Sequence, residues 1–237
     1  MSFSSDVKKE ICSVEQFDRE ALKAELYGML LFSRNFSSKK ITFTTESNYA
    51  GNRLIFLLQN LYMPIIEKQS ALRTKSSDSR LYKIIVIDEN DCKRIFEDFG
   101  HIYGQVTLRV NRANLSSEEL TQSVLRGVFL SCGSISDPMK SYHLEFCVPH
   151  KNLSQDLCKV LSEITECTLA PKTVVRSGSY IVYFKESEQI CDLLTYIAAP
   201  IRAMEIMGTK AIKQVRNNVN RRINGEVANI GKIATAS

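Results

Sequence analysis

The chain has 237 residues, 44% hydrophobic and 24% charged, ordinary values for a globular protein able to bury a sizeable core. No apolar run approaches the ~18 residues that cross a bilayer and the N-terminus lacks a signal-peptide pattern, which excludes an integral membrane protein and favours the cytoplasm over secretion. The net charge of +5 is confined to residues 201–237, with seven basic and two acidic side chains, while residues 1–200 balance at 24 of each. A neutral body with a basic tail points towards nucleic acid or another polyanion, and a solvated helix with spare lysines and arginines fits the same composition.

Residues 1–17 read as an N-terminal segment. The first helix pattern opens at Asp18, placed as an N-cap, with Leu22, Leu26, Met29 and Leu30 recurring at three and four residues. Alternation over Lys40–Thr44 predicts a half-buried strand, and Leu54, Leu57, Leu58 and Leu61 share one face of a helix over 48–62. Two strands follow, at 65–73 and 81–87, turned at Lys75-Ser76-Ser77-Asp78, and then a helix from Asp88 to Phe99. The order now returns. A helix over 116–132 opens at Ser116 or Ser117, with Glu119 placed for a capping box. A strand over Tyr142–Val148, a helix from Leu153 to Ile164, strands 168–176 and 179–185 turned at Ser177-Gly178, and a helix over 187–198 complete the copy.

Leu26-x-Gly28 matches Leu125-x-Gly127 at an offset of 99 residues, and the strand around Tyr82 matches that around Tyr180 at 98. A period this long is a duplicated domain rather than a solenoid. The chain therefore divides into repeat 1 (18–115), repeat 2 (116–200) and a tail (201–237). The short strand after each first helix leaves room for a second strand beside it. A mid-helix glycine costs ~1 kcal/mol against alanine, so equivalent glycines in both copies call for a packing reason. Two helices crossing closely at Gly28 and Gly127 supply one.

The seven cysteines have no zinc-ribbon or redox-motif spacing and read as free, mostly buried thiols. The three histidines form no HExxH pattern. His143 and Glu145 share a strand face, which fits a hydrogen-bonded structural pair better than a catalytic one, since no nucleophile accompanies them. Asp137, before Pro138, reads as a turn residue.

In the tail, Ile201, Met204, Met207, Ala211 or Ile212, Val215, Val219, Ile223, Val227 and Ile230 form an apolar stripe along a long helix, with breaks expected at Gly208 and Gly225. The opposite face carries Lys213, Arg216, Asn217, Asn220, Arg221 and Asn224, with Arg222 beside them. Arg and Asn contact phosphates and, in a groove, the edges of G and A. Lys213, Arg216, Asn217, Asn220, Arg221 and Arg222 are the candidate DNA-binding residues.

The paired Gly helices and duplicated α+β order resemble the LAGLIDADG homing endonucleases, whose name spells the end of that helix. The stretch Leu125–Pro138 with Ser141-Tyr142-His143-Leu144-Glu145, the opening Ser2–Ile11, and Arg216-Asn217-Asn218-Val219-Asn220-Arg221 with Ala228-Asn229 are similar to the WhiA sporulation-regulator family, over the whole chain. The resemblance implies an α+β, pseudo-twofold LAGLIDADG-like fold and a role in sporulation-associated transcription and cell division. In that family a C-terminal helix-turn-helix, the main DNA reader, follows such a tail; it is expected to be missing from these 237 residues, either because they are part of a longer chain or because this member lacks it. In cleaving LAGLIDADG proteins an acidic residue at the eighth motif position of each helix binds the divalent metal. Here those positions hold Ser33 and Cys132, so no catalytic residue, metal or cofactor is expected. Cys132 stands where the family commonly has Gly and reads as a small side chain at the tight crossing. The expected partner is double-stranded DNA in a nucleoid-associated setting, bound weakly by these residues alone. Two rivals are an active homing endonuclease, which lacks its carboxylates, and a protein-interaction or ligand-sensing module using the old saddle.

Overall fold

The computed structural model describes the backbone of residues 2–74 and 77–236, and side chains within 2–72 and 80–225. Helix α1 (Phe3–Cys12) is capped by the Ser2 hydroxyl, which accepts from the Ser5 amide, and it buries Val7 and Ile11. Helix α2 (Arg19–Leu31) starts where Asp18 accepts from the Ala21 amide at 2.8 Å. Strands β1 (Asn35–Phe36) and β2 (Ile41–Thr45) follow, then helix α3 (Asn48–Leu61), strands β3 (Ile66–Thr74) and β4 (Ser77–Val86), and helix α4 (Glu89–Asp98). The second half repeats the order: α5 (Glu118–Cys132), β5 (Gly133–Ile135), β6 (Leu144–Val148), α6 (Lys151–Ser162), β7 (Lys172–Arg176), β8 (Ser179–Phe184) and α7 (Ser187–Tyr196). Helix α8 (Pro200–Ala236) ends the chain.

Each half builds a four-stranded antiparallel sheet of the same topology, β1-β2-β4-β3 and β5-β6-β8-β7. In the first, Phe43 faces Ile84; in the second, Phe146 faces Val182, and all four are buried. The room left beside each central strand is filled by β1 and β5. The turn expected at Lys75-Ser76-Ser77-Asp78 has its centre, residues 75 and 76, outside the described residues. The β7–β8 hairpin turns on Ser177 (φ 49°) and Gly178 (φ 77°), the paired positive φ values that suit a two-residue connection.

Helices α2 and α5 cross at the centre of the molecule. Seen from either side, the crossing is glycine against backbone: Gly28 faces the Val124 carbonyl and Gly127 the Glu25 carbonyl. Beside it the buried Glu25 carboxylate accepts from Arg53 Nε at 2.7 Å and Nη2 at 2.8 Å, with Arg126 Nε at 4.0 Å. The segment between the halves is tied to both. Arg109 makes a two-point contact with Asp156 at 2.7 and 2.6 Å, and the Asn111 amide donates to the Tyr27 hydroxyl at 2.7 Å.

Several sequence expectations are corrected. Residues 3–12 form a helix, and Glu10 on it accepts from the Ile201 and Arg202 amides at 2.7 and 3.1 Å, capping α8 from a distance. Helix α5 is capped by Ser117, whose hydroxyl accepts from Leu120, so Glu119 is out of register for a capping box. Helix α8 runs unbroken through Gly208 and Gly225, around which no neighbouring atom intrudes. Among its described side chains the stripe faces solvent, with Met204, Ile212, Val215, Val219 and Ile223 exposed, while Ala203, Ile206 and Thr209 are buried. Val227 and Ile230 lie outside the described side chains. The cysteines are free; Cys92 and Cys191 are buried, Cys12, Cys132, Cys158 and Cys167 are half-buried, and Cys147 is exposed.

Candidate nucleic-acid interface

The two sheets and the C-terminal ends of α2 and α5 enclose a groove of about 1200 Å³, lined among others by Lys8, Ser33, Arg34, Arg80, Tyr82 and Cys132. Ser33 and Cys132, the residues that the sequence resemblance sets at the metal-binding positions, both line it. Ser33, just past the end of α2, is buried and donates its hydroxyl proton to the Leu30 carbonyl at 2.7 Å. Cys132 ends α5 and lies at the groove floor, beyond the tight crossing, where Gly127 rather than Cys132 makes the close approach. Burial pushes the Cys132 thiol far up, and the nearby Lys8 ammonium offsets only part of that, so the proton stays on sulfur.

Lys8 was not singled out by sequence. Helix α1 brings it across to α5, where Nζ donates to the Leu130 carbonyl at 3.3 Å. The Ser2 cap with Val7 and Ile11 four residues apart was the available signal for that helix. Nothing in the sequence joins residue 8 to residues 34 and 80, which come from separate elements.

This donor set does not fit a divalent metal. Mg²⁺ needs hard, anionic oxygen ligands, and the floor offers a hydroxyl spent on its own helix, a protonated thiol and an ammonium. Among the described residues, no three His, Cys, Asp or Glu side chains converge into a metal-binding group.

His143 Nε2 lies 3.0 Å from Glu145 Oε2, and Arg176 donates to Glu145 Oε1 at 2.8 Å. Burial raises the Glu145 pKa, but the hydrogen bonds from His143 and Arg176 outweigh it and hold the carboxyl below its usual range. This is a satisfied ion-pair cluster on the face of β6 that also carries Cys147. Asp137 accepts from the Met139 amide at 2.8 Å, as a turn residue does.

The tail residues separate into two kinds. Lys213 is docked: Nζ donates to the Pro138 carbonyl at 2.7 Å and stands 4.9 Å over the Tyr142 ring. Arg216, Asn217, Asn220, Arg221 and Arg222 are exposed on the part of α8 that follows. Lys210 pairs with Glu188 on α7.

The family model described as the WhiA LAGLIDADG-like domain matches residues 121–216. A protein of Clostridium perfringens named probable cell division protein WhiA is 35% identical over 246 residues, covering all of this chain and 77% of that protein. A namesake in Clostridium botulinum is 32% identical over 250 residues with the same coverage. Among solved structures, full-length DUF199/WhiA from Thermatoga maritima matches with TM-score 0.69 and 24% identity, over 99% of this chain and 75% of that one. The homing endonuclease I-WcaI, solved bound to its DNA recognition sequence, matches with TM-score 0.53 and 13% identity, over 85% of this chain and 90% of that one. These likenesses show the fold: an α+β, LAGLIDADG-like architecture. No helix among the described residues is long and apolar enough to cross a membrane.

Proposed function

Because the chain belongs to the WhiA family, we propose that it is a DNA-binding regulator of cell division and sporulation-associated transcription whose LAGLIDADG-like domain binds without cutting. What supports the non-cleaving half is the pair of helix ends that line the groove, where Ser33 and Cys132 offer no carboxylate. In-line hydrolysis of a phosphodiester needs a metal-activated water or a general base next to the scissile group. A serine hydroxyl hydrogen-bonded to its own helix and a thiol kept protonated by burial supply neither.

The DNA-binding half is supported by the concentration of positive charge on α8 and by the family name. Arg216, Asn217, Asn220 and Arg221 are exposed there for phosphate contacts, with Arg222 beside them, and Lys213 holds the helix against repeat 2. A protein or ligand partner on the saddle is the second reading, favoured by the balanced charge of residues 1–200. Incubating supercoiled plasmid with the chain and Mg²⁺ or Mn²⁺, beside a duplex-binding titration, tests the proposal. Retardation without cleavage is the expected result. Cleavage abolished by altering Ser33 or Cys132 would overturn the non-cleaving half, and absence of any duplex binding would favour the second reading.

A further inference from the structure

We propose that Lys8 is a fixed cation that binds a phosphate group at the floor of the saddle groove, in the place where a cleaving protein of this fold holds its metal. The argument begins with how firmly the ammonium is placed. Helix α1 is pinned at both ends: the Ile135 amide donates to Ser4 Oγ at 3.4 Å, and Glu10 caps the start of α8. Between those anchors, Lys8 Nζ reaches the Leu130 carbonyl in the last turn of α5. Helix-end carbonyls lack intrahelical donors and carry partial negative charge, so a cation is held there as a metal would be, but without ligand exchange.

The second step is that this cation lacks a counter-ion. An ammonium has three N–H donors, and a backbone carbonyl takes one. Among the described residues no carboxylate lies within ion-pair distance of Lys8; Glu46, which lines the same groove, acts on it only at longer range. Burial accordingly lowers the Lys8 pKa, with Cys132, Cys12 and Glu46 offsetting part of the effect. A half-buried ammonium with no carboxylate beside it is stabilised when a ligand brings the opposite charge.

The third step is the chemistry of the groove around it. Arg34 and Arg80 are exposed on its walls, and Ser4, Ser5 and Ser134 line it with hydroxyls. Although residues 1–200 are neutral in sum, the described residues lining the groove include three cations, Lys8, Arg34 and Arg80, and one carboxylate, Glu46. Ammonium, guanidinium and hydroxyl donors lining one groove from several elements suit a tetrahedral oxyanion, because its oxygens accept along several directions. A backbone phosphodiester of duplex DNA and a free phosphate share that chemistry. The duplex form rests on the DNA-binding reading; the phosphate site does not.

The experiment compares the 237-residue chain with its Lys8→Met variant, measuring Tm, duplex affinity across a salt titration, and binding of inorganic pyrophosphate. Lys8 is half-buried and its hydrogen bond goes to a helix-end carbonyl, so the variant's Tm is expected to stay nearly level. Duplex affinity is expected to fall roughly threefold to tenfold, with the slope of log K against log salt shallower by about one unit, the share of one phosphate. Loss of pyrophosphate binding with duplex affinity unchanged supports the site, assigns it to free phosphate, and removes DNA from the saddle. Unchanged affinity for both ligands overturns the proposal, whatever becomes of DNA binding by the tail. Should Lys8→Met fail to fold, the Lys8 Cε resonance of the unmutated chain decides: a shift on adding pyrophosphate or duplex supports the site, and a stationary resonance overturns it.

Discussion

Gly28 and Gly127 pack reciprocally, each against the other helix's backbone: a Cβ on Gly28 would lie 2.1 Å from the Val124 carbonyl oxygen, and one on Gly127 would lie 2.0 Å from that of Glu25. Backbone cannot swing aside as a side chain can, so alanine is already too large at either position. Gly127→Ala is expected to lower stability by about 1–3 kcal/mol, despite the ~1 kcal/mol that alanine gains over glycine in helix propensity. Gly208→Ala is the control, since nothing lies within 4 Å of its added Cβ. Denaturant unfolding should show Gly208→Ala level or slightly stabilised and Gly127→Ala clearly weakened. Equal midpoints for the two would remove the close-crossing argument.

The same crossing buries a carboxylate between two guanidiniums. Glu25 is 1% exposed and Arg126 7%, and Arg126 Nε finds no hydrogen-bond acceptor. Burial lowers the Arg126 pKa, with the Glu25 charge opposing that and Arg53 adding to it. Glu25→Gln would leave both cations without a neutralising charge, and the expected loss is about 3–5 kcal/mol. Replacing Glu25, Arg53 and Arg126 together by apolar residues of similar volume should recover most of it. A single Gln variant as stable as the parent would show that the carboxylate contributes nothing there.

Acid should loosen the junction between the halves. Burial raises the Asp156 pKa, but hydrogen bonds from Arg109 and the Val110 amide outweigh it and hold the carboxyl below its ordinary value. A group with a depressed folded pKa contributes stability that is complete above the unfolded value, about pH 4, and is lost as pH falls through the lower folded value. Tm followed by circular dichroism from neutral pH downward should therefore drop below about pH 4. Asp156→Asn should start lower at neutral pH and fall less steeply in acid. Parallel curves would place the acid sensitivity elsewhere, with Asp98 and Glu145, also held low in the fold, as the remaining candidates.

Where the sequence carried a local signal, the structure follows it. Asp18 caps α2, Ser177-Gly178 turns a hairpin, and the alternation read over Lys40–Thr44 falls on strand β2, though four of its five residues are buried rather than half; each signal resides in a few consecutive residues. The matched offsets of Leu26 and Leu125 revealed the doubled fold for the same reason. Helix α1 was missed because only Val7 and Ile11 bury, too few to show a period. The breaks expected in α8 failed because a glycine with open space around it costs little and displaces nothing. The groove was illegible for a different reason: its cations come from α1, the end of α2 and β4, and only the folded chain brings Lys8, Arg34 and Arg80 to one site. Lys213 was legible as basic but not as docked, since the Pro138 carbonyl and Tyr142 ring that hold it lie far off in sequence.

That docking divides the tail into an anchor and a binding face, and the two should fail differently. Arg216 and Arg221 are exposed and form no ion pair among the described residues, so phosphate contact costs them little desolvation. At ~0.9 per neutralised phosphate, replacing both by Gln should flatten the slope of log K against log salt by about two units. The Tm of the domain should stay where it is, since neither side chain packs on it. Lys213→Gln should behave in the opposite sense: it breaks the hydrogen bond to Pro138 and the contact with Tyr142, lowers Tm, and frees α8 from repeat 2. Its effect on the salt slope should be small, because an ammonium already held by the protein has few donors left for phosphate. If the double Arg variant keeps the full slope, α8 is a solvated connector and the electrostatic contact belongs to the groove. If Lys213→Gln alone removes the slope, Lys213 reaches phosphate by leaving Pro138, and the docked position is the state that DNA displaces.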